Sequence, residues 1–162
     1  ARAILHFLRG TLAHAFRNTG RRPIQTSVYN HNFLYLDRRA PGPGLVLTAG
    51  FPLQTAQPLD PRLAEVQGNQ FRLKKTLAGE DAVYAVLLGY GTKAQDYDFR
   101  VESRDAGGGV RITGDRPLAK LALWTIRAPH SIEPFIEVRA EPGAEFNWAL
   151  RYAFHRLPSG EP

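Results

Sequence analysis

The sequence predicts an all-β fold, an antiparallel β-sandwich, and three observations carry that expectation. Turn-forming residues break the 162-residue chain every 8 to 15 residues, which leaves little room for helices. Between the breaks, apolar and polar residues alternate with the period of two that a half-buried strand requires. The final strand shows this most plainly: Phe146, Trp148, Leu150, Tyr152 and Phe154 alternate with Asn147, Ala149, Arg151, Ala153 and His155, so all the bulk lies on one face.

Near the start, Ile4, Leu5, Leu8, Leu12, Ala15 and Phe16 stand at helical spacing, and Asn18-Thr19-Gly20 would stop a helix well. Periodicity alone predicts a helix there. The competing reading is a pair of strands, residues 3–9 and 11–17, with Gly10 as a turn or bulge between them. A strand-like stretch, Thr26-Ser27-Val28, comes before the turn-rich segment from Arg39 to Gly44. Half-buried strands are then expected at residues 45–48, 70–74, 83–88, 97–102, 110–112, 121–127 and 135–139. The breaks between them carry Gly50, Pro52, Gly68, Gly79, Gly89, Gly107 to Gly109, Gly114, Pro117 and Pro129, and Pro142-Gly143 turns the chain into the last strand. No composition shift or internal repeat divides the sequence, so residues 1–162 are expected to form a single domain.

Hydrophobic residues make up 43% and charged residues 22%, values of a chain that folds around a core. There is no Cys, which excludes disulfides, thiolate metal sites, a Cys nucleophile and thiol redox chemistry. There is no Met either and residue 1 is Ala, so the expectation is a processed or truncated piece of a longer product. The 21 basic residues, 17 Arg and 4 Lys, exceed the 15 acidic ones and give a net charge of +6, which favours anionic or polyhydroxylated partners. They come singly or in pairs, without the basic cluster or aromatic-basic signature of a nucleic-acid binder, so no nucleic-acid partner is expected. No apolar run approaches the roughly 20 residues that span a bilayer, and no membrane partner is expected. The compartment stays open: cytoplasmic, or secreted or periplasmic after removal of a signal.

Two segments have chemical character. Tyr29-Asn30-His31-Asn32-Phe33 sets an imidazole between two amides and two aromatic rings. Such a histidine can give or take a proton near neutrality, and Asn30 and Asn32 could orient it or hydrogen-bond a polyol; the bland alternative is a histidine that caps a turn. In Pro129-His130-Ser131-Ile132-Glu133-Pro134-Phe135, a carboxylate beside an apolar strand stands to lose solvent, which suits Glu133 to general-base work. Glu137 and Glu141 follow it, and all three could equally be solvent-facing strand carboxylates. Asp81, at the mouth of a strand, is a lesser candidate.

Taken in order, Phe16-Arg17-Asn18-Thr19-Gly20, the YNHNF segment, Ile132-Glu133-Pro134-Phe135, and Glu141-Pro142-Gly143-Ala144-Glu145-Phe146 before an aromatic strand resemble the galactose mutarotase-like superfamily, to which aldose 1-epimerases belong. The resemblance covers nearly the whole chain and is to the later half to two-thirds of a complete member, a large antiparallel supersandwich. It implies strands rather than a helix over residues 3–17, with the N-terminal strands of the fold absent here. Here His31 is followed by Asn32-Phe33-Leu34, where the usual epimerase form has aromatic residues and then Asn-Leu.

The resemblance implies His31 as general acid on a sugar's ring oxygen, Glu133 as general base on its anomeric hydroxyl, and Asp81 near a hydroxyl-binding aspartate. That chemistry uses neither metal nor cofactor. Trp124, Tyr29 or Phe135 could stack on a pyranose and Arg127 could bond its hydroxyls, although core packing is the expected role of Trp124 and Phe135. The implied function is an aldose 1-epimerase acting on a sugar or oligosaccharide; the alternatives are a carbohydrate-binding sandwich without catalysis and an interaction β-domain. His31 and Glu133 are expected on one concave surface, about 5 to 9 Å apart, as for carboxyl pairs that span a sugar ring. Exposed sheet edges are expected to pair with the missing strands or with a second copy.

Overall fold

A computed structural model describes residues 9–158, which form two antiparallel sheets packed face to face. In chain order the strands are β1 (Arg9–Arg17), β2 (Ile24–Tyr29), β3 (Asn32–Leu34), β4 (Leu45–Ala49), β5 (Gln54–Thr55), β6 (Ala64–Gln67), β7 (Gln70–Leu73), β8 (Ala82–Leu88), β9 (Asp98–Ser103), β10 (Gly108–Gly114), β11 (Lys120–Ile126), β12 (His130–Ala140) and β13 (Glu145–Arg156). The first sheet runs β1-β13-β10-β9-β4-β7-β6, and the second β2-β12-β11-β8-β5, with β3 pairing the start of β12. Among the described residues, no helix is long and apolar enough to cross a membrane.

Alternation sets the core. Leu47, Phe71, Phe99, Val101, Val110, Ile112 and Leu150 from the first sheet meet Leu87, Leu121, Leu123 and Ile132 from the second, each at most 2% exposed. Burying each such side chain stabilises the fold by about 1.5 to 3 kcal/mol. In β13 the bulky residues do share one face: Leu150 is buried, while Arg151 and Asn147 point to solvent.

The start of the chain departs from both readings of its sequence. β1 is one unbroken strand, each residue from Arg9 to Arg17 paired with β13 from Ala153 back to Glu145, and Gly10 lies inside it opposite Tyr152 rather than in a turn. The long ladder offered by β13 supplies every backbone partner, and Leu12, His14 and Phe16 share the face of Leu150, Trp148 and Phe146, so tertiary pairing overrides helical spacing. Ile4, Leu5 and Leu8 lie outside the described residues.

Asn18-Thr19-Gly20 is a corner between the sheets. The fully buried Asn18 donates from Nδ2 to the carbonyls of Arg22 (2.8 Å) and Ala140 (2.9 Å), and its Oδ1 accepts from Gly20 N–H (2.9 Å). At the facing turn, Gly143 takes φ 79°, a left-handed conformation that a side chain would strain. The corner thereby delivers β2 onto β12, with Tyr29 opposite Phe135. β12 is longer than residues 135–139: it begins at His130, so the Glu133-Pro134 segment is strand, not the loop after one. β5 and β6 were too short to show a period in the sequence.

Candidate functional site

The outer face of the second sheet gathers the chemistry. In β12, alternation sends Ile132, Ile136 and Val138 into the core and turns Ser131, Glu133 and Phe135 to the opposite face. Register then builds three rows across the strands. Glu133 lies beside Ala122 and Val86; Phe33, Ser131, Trp124 and Tyr84 form the row on one side; Tyr29, Phe135 and Lys120 form the row on the other.

His31, in the link between β2 and β3, reaches into the middle row. Its Nε2 lies 2.8 Å from Glu133 Oε1, with 40% of the His31 side chain and 9% of the Glu133 side chain exposed. Aromatic rings surround the pair. The imidazole centroid is 4.0 Å from Phe33, 5.7 Å from Tyr29 and 6.1 Å from Trp124, Tyr29 stacks on Phe135 at 4.2 Å, and the Lys120 ammonium sits 5.0 Å above the Phe135 ring. The expected separation of about 5 to 9 Å is therefore corrected: the two groups share one face, but they touch. The pairing of β3 with Ser131 is the cause, since it sets the preceding link directly alongside Glu133.

The other sequence candidates lie elsewhere. Asn32 is 9% exposed and spent on the fold: its Nδ2 donates to the carbonyls of Asn30 and Ile132 (3.1 Å each), and its Oδ1 accepts from Tyr152 O–H at 2.6 Å. The Asn30 amide lies 3.3 Å from His14 Nε2, and that imidazole stacks on Trp148 at 4.5 Å. Both asparagines thus turn toward the first sheet, away from His31. Asp81 binds Lys75 (2.8 Å) and accepts from Ala78 N–H (3.0 Å), contacts that hold its carboxyl below the usual range in a turn before β8. It is five residues from Val86, roughly 16 Å along the strand. Arg127 is exposed at the tip between β11 and β12, five residues beyond Ala122.

The expected core role of Trp124 and Phe135 is corrected: both are half-buried members of the outer face. Sequence reasoning missed Tyr84, 58% exposed, and did not weigh Phe33, 57% exposed, by itself. A signal existed in β8, where Val83, Ala85 and Leu87 alternate with Tyr84, Val86 and Leu88. His130, three residues before Glu133, is only 1% exposed; its Nδ1 lies 2.7 Å from Thr125 Oγ1, its Nε2 has no partner, and burial pushes its pKa down to about 4. Among the described residues, no group of three or more His, Asp or Glu gathers to hold a metal ion.

No family model matches the sequence, and no curated protein matches it significantly. Solved structures do resemble the fold. A candidate aldose 1-epimerase from Klebsiella pneumoniae superposes with a TM-score of 0.66 at 14% identity, over 92% of this chain and 44% of its own. The GalM/aldose epimerase homologue from C. elegans gives 0.60 at 15%, over 93% and 57%, and a galactose mutarotase-like protein from Lactobacillus casei gives 0.59 at 13%, over 90% and 58%. The chain spans about half the length of the structures it matches, and across that span it has the galactose mutarotase-like fold.

Proposed function

We propose that this chain acts on carbohydrate as an aldose 1-epimerase does, interconverting sugar anomers by proton transfer through Glu133 and His31. The observation that carries the reading is the contact of a buried carboxylate with a part-exposed imidazole amid exposed aromatic rings on a sheet face. The likeness of the fold to a candidate aldose 1-epimerase, an aldose epimerase homologue and a galactose mutarotase-like protein supports it.

The step balances without a cofactor. Glu133 takes the proton of the C1 hydroxyl while protonated His31 gives one to the ring oxygen; the ring C1–O bond breaks and a C1 carbonyl forms. After rotation about the C1–C2 bond, ring closure runs both transfers backward, returning a proton to O1 and one to His31. Without sugar the two groups satisfy each other. A sugar enters by exchanging their mutual contact for a hydrogen bond from O1–H to Glu133 and one from His31 to the ring oxygen, and the more exposed His31 is the side chain with room to move aside.

Polarimetry of freshly dissolved α-anomeric hexose tests this. The chain should accelerate mutarotation, and Glu133→Gln should lower the catalysed rate about 10²- to 10⁴-fold. An unchanged rate in that variant excludes Glu133 as the base. The direct 2.8 Å contact favours one second reading, a carbohydrate-binding sandwich in which the pair is a fixed polar contact. Calorimetric sugar binding without any acceleration of mutarotation would select it.

A further inference from the structure

The geometry points to a ligand longer than a single sugar: an oligosaccharide whose terminal ring lies at His31 and Glu133 and whose next rings stack on an aromatic row formed by Phe33, Trp124 and Tyr84. This inference rests on the reading of His31 and Glu133 as a sugar site and extends it along the sheet.

The row is set by register. Phe33 pairs with Ser131, Ser131 with Trp124, and Trp124 with Tyr84, so the three rings lie on one face along a line that crosses β3, β12, β11 and β8. Adjacent strands are about 4.8 Å apart, so this line extends roughly 14 Å, more than one pyranose ring can cover. Its near end is continuous with the proton-transfer pair. Phe33 is 4.0 Å from the His31 ring, and Trp124 is 6.1 Å from His31 and 6.0 Å from Phe33, meeting both edge-on.

The far end is open to solvent. Tyr84 projects from the face of β8 opposite Val83, Ala85 and Leu87, which fill the core, and it is the most exposed of the large hydrophobic side chains described. An exposed tyrosine in line with the exposed Phe33 and the half-buried Trp124 is the surface feature that marks a binding site rather than a stray apolar residue. The C–H-rich face of a pyranose packs on such rings, while the tyrosine hydroxyl remains free for a sugar hydroxyl. A monosaccharide held at Glu133 would leave Tyr84 unused, because Tyr84 lies on the neighbouring row and two strands away, roughly 10 Å across the sheet.

Titration calorimetry of the 162-residue chain with glucose and galactose, and with maltotriose and cellotriose, tests the inference. At least one trisaccharide should bind tighter than both hexoses. Tyr84→Ala should weaken that trisaccharide about three- to ten-fold and leave hexose binding unchanged, and Tyr84→Trp should retain the tight binding. Hexose and trisaccharide affinities that are equal, or a trisaccharide affinity that Tyr84→Ala does not alter, would overturn the extended platform and leave the sugar site at Glu133 standing. Absence of binding by hexoses and trisaccharides alike would overturn both.

Discussion

Each sheet carries a histidine against a glutamate on its outer face, and in each the Nε2 to Oε1 distance is 2.8 Å, although only His155 and Glu102 meet with hydrogen-bond geometry. The surroundings differ. His155 and Glu102 stand on opposite sides of Gly109, where a Cβ would lie 2.8 Å from Glu102 Cγ, and the glycine leaves room for the pair to close over the sheet. Around them the face is polar, with Arg100, Arg111 and Arg151, and both side chains are about equally exposed, 34% and 31%. His31 and Glu133 have unequal exposure, 40% and 9%, and aromatic rings for neighbours. An identical pair distance therefore says little about chemistry. The desolvated carboxylate, the more exposed imidazole and the apolar platform are what set His31 and Glu133 apart from a surface ion pair.

The sharpest way to break the comparison is to remove one carboxylate at a time. If the pairs differ as their surroundings imply, Glu102→Gln leaves mutarotation at the wild-type rate while Glu133→Gln reduces it by the large factor given above. Equal losses in both variants would mean that neither pair is the catalytic one.

A third histidine extends the series to full burial. His130 is neutral in the folded chain, with its pKa lowered by desolvation to about 4 from the ordinary 6.5. The unfolded chain binds a proton there at higher pH than the folded chain does, so this group leaves stability unaffected above about pH 6.5 and erodes it as pH falls toward 4. The loss over that window is roughly 3 kcal/mol, at about 1.36 kcal/mol per pH unit. Denaturant midpoints measured from pH 7 to 4 should fall more steeply in the wild type than in His130→Gln; parallel slopes would contradict the assignment.

The smallest effects concern stability of the two pairs. Glu102→Gln should destabilise by no more than about 1 kcal/mol, the ordinary worth of an exposed ion pair. Glu133→Gln should be neutral or slightly stabilising, because a carboxylate kept from solvent for chemistry contributes little to folding. Thermal melts of both variants check this, and a large drop for Glu133→Gln would instead mark the pair as structural.

The sequence made the strands legible where the signal was local. The alternation from Phe146 to Phe154 needed only a period of two, and the strands around Leu47, Val101 and Ile112 likewise declared themselves between glycine-bearing turns. Leu121-Ala122-Leu123-Trp124 did not declare its faces, because the run is apolar on both. A strand whose outer side is an aromatic platform reads like one buried on both sides, so its sequence does not separate Trp124 from the core. Asn32 misled in the opposite sense: an amide beside a histidine suggested a substrate contact, yet its partners are the carbonyl of Ile132, 100 residues away, and the hydroxyl of Tyr152, 120 residues away.

What the sequence determined by itself was the fold class, most of the strands and, through a resemblance of motifs, the two residues on which the functional proposal turns. Their contact was decided only in three dimensions. His31 meets Glu133 because β3 pairs with the start of β12 in one register, and a shift of that pairing by a single residue would send the facing side chains to the other side of the sheet. The same physics decided the first described strand, where hydrogen bonds from β13 outweighed the helical spacing of Leu12, Ala15 and Phe16. Local periodicity states that a chain will form strands; cross-strand register, a long-range property, states which side chains will meet.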